Sequence, residues 1–188
     1  MAPRELIHVP VEIETERLVL HAPRAGCGQA LSEAISASLP ELQPWLPWVR
    51  QGVSPLDAEA EAIRAQARFI TREDLRYHVI LKETNTLIGG TGLHRIDWTV
   101  PKFEIGYWID SRHTGNGYAV ESARALTEFA FGQLKARRVE IRCDSLNGRS
   151  TAIPPKLGYE LEATLRNFQR AFDDPTQIRD TLLFVKLG

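Results

Sequence analysis

A chain of 188 residues, 43% hydrophobic and 25% charged, has the size and balance of one ordinary globular domain with a substantial core. Its 23 basic and 24 acidic residues leave a net charge of -1, which argues against nucleic acid or a membrane surface as partner, because those draw a clear basic excess. The two cysteines, Cys27 and Cys143, are too few for a disulfide framework and share no ligand spacing with the five histidines, so neither disulfides nor a metal are expected.

Residues 1–16 lack the apolar run of a signal peptide and no stretch approaches about 20 apolar residues, which makes the cytoplasm the expected location. The first clear element is a strand at residues 17–22, where Leu18 and Leu20 alternate with Val19 and His21 before Pro23, Gly26 and Gly28 end it. A helix is expected at residues 29–38. Residues 39–48 hold three prolines and two tryptophans and read as irregular: either a hydrophobic loop pinned on the core, or a substrate-side wall carrying Trp45 and Trp48.

Residues 56–74 show helical spacing in Ala60, Ile63, Ala67 and Ile70, and Ser54-Pro55 supplies the start signal. Strands follow at residues 77–82 and 87–96, joined by a hairpin turn at 83–86. Gly89, Gly90 and Gly92 in the second strand suggest a bulge or close packing. A third strand is expected at residues 103–109, then a long helix at 117–134 with Ala119, Ala123, Leu126, Ala130 and Leu134 on one face. Residues 139–143 read as a strand, 147–157 as a short helix closed by Gly158, and 159–164 and 181–186 as the last two strands. The order β-αα-βββ-α-β-α-ββ predicts an α/β (mixed α+β) fold: a single domain over residues 1–188, with one mixed sheet flanked by helices.

The most informative segment runs from the third strand into Arg112-His113-Thr114-Gly115-Asn116-Gly117-Tyr118-Ala119 and then the long helix. Glycines admit positive φ and bring backbone N–H groups close to a ligand, and a helix N-terminus adds unpaired donors and partial positive charge. Such a loop is a phosphate cradle, to which Arg112 can add a charge-assisted contact. It is equally an ordinary strand-to-helix turn on spacing alone. No Gly-Lys-Ser/Thr follows, and R-x-x-G-x-G is not the dinucleotide fingerprint.

The loop resembles the acetyl-CoA signature R/Q-x-x-G-x-G/A of the Gcn5-related N-acetyltransferase (GNAT) superfamily. Further stretches are similar, in the same order, to the branch of that superfamily that acetylates ribosomal-protein N-termini. They are residues 15–20, Leu46-Pro47-Trp48, residues 88–92, Glu104-Ile105-Gly106-Tyr107-Trp108, Asn147-Gly148-Arg149-Ser150 and Lys156-Leu157-Gly158-Tyr159.

The resemblance implies acetyl-CoA as co-substrate and a primary amine as acceptor, foremost a protein N-terminus, with a homodimer as a further expectation. It implies that the backbone of Tyr107, Trp108 and Ile109 pairs with the pantetheine arm, and that the amides from Arg112 to Ala119 hold the pyrophosphate. His113 either touches the cofactor or is simply exposed. Asn147 follows the next strand, where its amide binds the pantetheine or orients the thioester, or caps a helix. Acetyl transfer needs a base for the amine proton and a donor for the oxyanion. Glu104 is the expected base, the alternative being a solvated or ion-paired strand residue. Ser150 matches a serine of the ribosomal-protein branch and is the expected donor to the leaving sulfur, the alternative being local hydrogen bonding at a helix start.

Many superfamily members carry a tyrosine where this chain has Pro154, followed here by Pro155. Both prolines push the preceding residue out of the α region, so the helix is expected to survive to about residue 152 with a distorted last turn. Cys143 reads as a small core residue and His94 as an ordinary structural one. Residues 173–176 read as a turn. Three readings stay open: an active N-acetyltransferase on a protein N-terminus or a small amine, a CoA-binding regulatory module without turnover, and an α/β interaction domain that binds nothing on its glycine loop.

Overall fold

The computed structural model describes residues 3–49 and 52–188. Its strands are β1 (Glu12–Glu14), β2 (Leu18–His21), β3 (Leu75–Leu81), β4 (Thr86–Asp97), β5 (Lys102–Ile109), β6 (Arg138–Asp144), β7 (Glu160–Arg170) and β8 (Ile178–Leu187). The helices are α1 (Gly28–Ala37), α2 (Leu39–Leu42), α3 (Pro55–Ile70), α4 (Tyr118–Gly132), α5 (Gly148–Thr151) and α6 (Ile153–Lys156). All eight strands form one mixed sheet in the order β1-β2-β3-β4-β5-β6-β8-β7, as the strand and helix pattern predicts, with β1 an addition that its three residues were too few to announce.

Alternation decides which strand residues are buried. Leu18 and Leu20 are fully buried on β2 while Val19 and His21 are only partly so, and Phe103 and Ile105 do the same on β5. They meet α4, whose inner face carries Ala123, Leu126 and Ala130, all at 0% exposure. Each large side chain buried there contributes roughly 1.5–3 kcal/mol. The predicted face of this helix is the observed one.

For α3 the period is right and the phase is not. Ala58, Ala62, Ala65 and Phe69 face inward, while Ile63 and Ile70 are 50% and 61% exposed. Close approach explains the choice: a Cβ at Gly28 of α1 would lie 2.6 Å from the Pro55 carbonyl and from Glu59 Cβ. Only a face of alanines fits against so near a neighbour. Ser54 caps the helix, its Oγ accepting from the Asp57 amide at 3.1 Å.

Residues 39–48 are not irregular throughout. Pro40 falls in the first turn of α2 and Pro47 opens a 3₁₀ turn, Pro47–Val49, positions where a missing N–H costs no hydrogen bond. Leu42 and Val49 from this stretch bury with Ile35 of α1 in a small second core. The predicted helix at 147–157 likewise divides into α5 and α6, because Pro154 and Pro155 are accommodated by starting a new turn. Residues 173–176 form the expected turn, Asp174 accepting from the Thr176 amide.

Every strand pairing is antiparallel except β5 with β6. That parallel pairing covers only Lys102↔Arg138, Phe103↔Val139 and Glu104↔Glu140. On its other edge β5 stays paired with β4 as far as Gly89↔Ile109. The two strands therefore part after Glu104, and one backbone edge of residues 105–109 is left without a strand partner. On β4, the register slips between Val79 and Ile80 of the neighbouring strand, and a Cβ at Gly89 would sit 2.3 Å from the Trp108 carbonyl oxygen; bulge and close packing both occur. Gly89→Ala is expected to lower stability by about 1–3 kcal/mol, the cost of overpacking against backbone that cannot yield, as read by urea unfolding.

Candidate active site

The gap between β5 and β6 opens toward the loop that leads into α4. Asp110, at 0% exposure, organises that loop. Its amide donates to Ile88 O at 2.8 Å, and its Oδ1 accepts from the Arg112 amide and Arg112 Nε, each at 3.0 Å. Burial would raise the Asp110 proton affinity, but the Arg112 hydrogen bonds and charge outweigh it and hold the carboxyl below its ordinary range. Ser38 of α1, also fully buried, accepts from the Ser111 amide at 2.8 Å and ties the loop to the helix end.

Gly115 and Gly117 adopt φ of +85° and +80°, a left-handed region that other residues enter at a cost. Gly117 is the N-cap of α4. The amides of residues 115–120 have no acceptor among the described residues, and the first helical amide bond of this end is Glu121 N to Gly117 O. Behind the loop, Glu121 accepts from Thr15 Oγ1 (2.6 Å), the Arg17 amide (2.9 Å) and Arg17 Nε (2.7 Å), while Arg17 Nη1 reaches Asn116 O at 3.0 Å. The row of free N–H groups is thus braced from outside. Tyr118 lies under the Arg17 guanidinium at 4.7 Å. Arg112 and His113 lie in a 3₁₀ turn, Ser111–His113, Thr114 and Asn116 in the loop that follows, and Ala119 in the first turn of α4, though much of the Arg112 guanidinium is already committed to Asp110. The set fits a polyanionic group such as a pyrophosphate.

Across the gap stands α5. Asn147 caps it, Oδ1 accepting from the Ser150 amide at 3.1 Å, which leaves the Asn147 side-chain NH₂ without a partner among the described residues. Tyr107 crosses from β5: its phenol donates to Ser150 O at 3.0 Å, and Ser150 Oγ donates to the phenol oxygen at 3.3 Å. Cys143 Sγ lies 3.2 Å from Ser150 Oγ. Burial pushes both the Tyr107 phenol and the Cys143 thiol up, so both are protonated near neutral pH. The proline pair falls in α6, beyond this turn, and leaves Asn147 and Ser150 in place.

On the opposite face of β5 is a cavity of about 770 Å³ bounded by α1, residues 46–48 and 52–53, α3, β3 and β4. Trp48 and Trp108 meet edge to face there with centroids 6.1 Å apart. Trp45 is not on its wall: the ring lies 5.2 Å from the Arg179 guanidinium carbon, toward β8. Trp108 therefore contributes its side chain to this cavity and not only its backbone to the gap. Glu104 lines the same cavity, with Oε2 3.1 Å from Arg142 Nε and 3.4 Å from Arg95 Nε. His94, its cross-strand partner, pairs through Nδ1 with Asp74 Oδ2 at 2.7 Å. Trp108 as a wall and the Asp74–His94 pair escape the sequence reading, because each depends on a neighbour distant in the chain; Asp110, two residues before Arg112, escapes it too but carried a local signal. Among the described residues no group of acidic, histidine or cysteine side chains is arranged to hold a metal, and no helix is long and apolar enough to cross a membrane.

Residues 17–160 match the model of the acetyltransferase (GNAT) domain. The ribosomal-protein-serine acetyltransferase of Escherichia coli (strain K12) is 28% identical over 163 residues, covering 85% of this chain and 90% of that protein. The uncharacterized N-acetyltransferase p20 of Bacillus licheniformis is 32% identical over 96 residues, or 51% of this chain and 54% of that protein, so this match spans about half of each. RimL, a ribosomal L7/L12 α-N-protein acetyltransferase solved in complex with coenzyme A, superposes with a TM-score of 0.84 at 20% identity, covering 95% of this chain and 96% of that one, a likeness of fold. With the strand gap, the braced amide loop and a family match across most of its length, the chain belongs to the GNAT family of acetyltransferases, N-acetyltransferases whose acetyl donor is acetyl-CoA.

Proposed function

We propose that the protein transfers the acetyl group of acetyl-CoA to the α-amino group of a protein N-terminus, by direct attack within a ternary complex. The observation that carries the donor half is the parting of β5 and β6 in front of six unpaired amides at residues 115–120. The free edge of Tyr107, Trp108 and Ile109 is suited to hydrogen-bond the pantetheine arm as a missing strand would. The loop from Arg112 to Ala119 takes the pyrophosphate, and the free Asn147 amide meets the pantetheine from the α5 side.

The acceptor enters the cavity on the other face of β5. Its apolar and aromatic walls, with Trp48 and Trp108 side by side, suit a short peptide end better than a polycation, since Glu61 and Glu104 there are already matched by Arg68, Arg76, Arg95 and Arg142. Relatives named for ribosomal proteins support the same class of acceptor. Attack forms the N–C bond and a tetrahedral oxyanion, for which a free β5 amide is the available donor. The C–S bond then breaks, and Ser150 Oγ, held by Tyr107, donates to the departing sulfur.

Acetyl-CoA at 100 times its dissociation constant should stabilise the fold by about 2.7 kcal/mol, seen as a raised unfolding midpoint, and peptides with a free N-terminus should release thiol; failure of both would remove this reading. Gly117→Ala should weaken acetyl-CoA binding about tenfold, because a side chain in the left-handed region costs roughly 1–2 kcal/mol, measured by calorimetry. Ser150→Ala should reduce kcat by about 10²-fold, the lower end of an acid–base contribution, with acetyl-CoA affinity unchanged in the same titration.

A further inference from the structure

The cross-strand pair Gly92↔Gly106 removes two side chains from the cavity face of β4 and β5. The His94 imidazole fills the space. A Cβ at Gly92 would lie 2.8 Å from His94 Cε1 and 2.9 Å from Nε2, and one at Gly106 would lie 3.2 Å from Nε2. The ring is thereby laid over Gly106, the first glycine of the β5 segment whose outer edge is free. Its other nitrogen, Nδ1, faces Asp74 Oδ2 at 2.7 Å.

An ionised carboxylate only accepts, so Nδ1 is the donor to Asp74 Oδ2, and Nε2 is the ring nitrogen left for the acceptor. Asp74 is equipped to stay ionised. Burial would raise its proton affinity, but the His94 hydrogen bond and the charges of His94, Arg76 and Arg68 outweigh that and leave it lowered. Asp74 Oδ1 is buried without a hydrogen-bond partner among the described residues, so this carboxylate is directed to the histidine alone. Glu104, next to His94 across the strands, is by contrast ion-paired on two sides, its Oε2 lying 3.1 Å from Arg142 Nε and 3.4 Å from Arg95 Nε.

We propose that His94, positioned by Asp74, takes the proton from the acceptor amine, in place of Glu104, whose carboxylate is held by Arg95 and Arg142. This rests on the acetyl-transfer reading and assigns its proton acceptor. As the amine nitrogen bonds to the acetyl carbon and the C–S bond breaks, the amine proton passes to His94 Nε2. The resulting imidazolium is balanced by Asp74 and returns the proton to water between turnovers. The departing thiolate, which Ser150 can hydrogen-bond, takes its proton from water.

The charged neighbours are Asp74, Arg76 of β3, Arg95 of β4, Glu104 of β5, and Asp57, Glu61, Arg64 and Arg68 of α3, with Arg142 of β6 behind Glu104. His78 also lines the cavity, but burial first, then nearby positive charge, pushes it down to about 4, so it stays neutral over the working range.

The test is the pH profile of kcat/KM for acetyl-CoA with a serine-initiated octapeptide, in wild type, His94→Gln, Asp74→Asn and Glu104→Gln. His94→Gln should lose about 10²-fold and lose the acid limb of the profile, while binding acetyl-CoA with wild-type affinity. Asp74→Asn should lose about tenfold and move the limb to lower pH, since removing the opposite charge disfavours the imidazolium. Glu104→Gln should keep the limb. Should His94→Gln fold poorly, Asp74→Asn carries the same limb readout. An active wild type whose acid limb survives His94→Gln, or vanishes in Glu104→Gln, overturns this assignment alone. A wild type that turns over neither the peptide nor a panel of primary amines overturns the acetyl-transfer reading and this inference with it.

Discussion

The structure turns on one parallel pairing that stops early. β5 and β6 share three residue pairs and then diverge, which a sheet tolerates only if the exposed backbone finds other partners. On the inner edge β4 keeps β5 fully paired through Ile109, so the strand remains rigid while its outer edge is open. An open, rigid edge inside a sheet is an unusual thing to build: it offers N–H and C=O groups at fixed spacing to an extended ligand. The pantetheine arm of acetyl-CoA has amides of its own to answer them.

The loop at the mouth of the gap is the second half of that design. Gly117 allows the backbone to turn its amides outward, but glycine alone would leave the loop slack. The tension is taken by two buried carboxylate clusters. Asp110 gathers Arg112 at the loop's entry, and Glu121 gathers Thr15 and Arg17 at its exit. Neither of these carboxylates accepts from the amides of residues 115–120, which leaves those donors for a phosphate. Arg112, read from the sequence as a ligand contact, acts first as the partner that makes Asp110 bearable inside the core.

On the far face of the same strand, Glu104, Gly106 and Trp108 line the cavity, while Tyr107 meets Ser150 on the other face. Strand alternation does this without further machinery: successive residues of one β-strand face two different surroundings. The prolines that cast doubt on the α5 region prove local. A turn that begins again at Ile153 absorbs them, because a proline in a first turn lacks only a hydrogen that had no acceptor.

The family was read from the resemblance of several short stretches in order; by itself the spacing determined most of the strand and helix order, the glycine loop at the start of α4 and the inner face of that helix. These follow from spacing within a single element, where period and punctuation act over a few residues. What only the tertiary structure decided were relations between elements. The phase of α3 was set by how closely α1 approaches. Trp45 and Trp48, three residues apart, diverged to Arg179 and to the cavity because of what each met there. Asp74 and His94 became a pair because β3 and β4 run antiparallel and bring positions twenty residues apart in the chain to 2.7 Å. Burial, charge pairing and hydrogen-bond direction all depend on such neighbours, and a linear pattern carries no record of who they are.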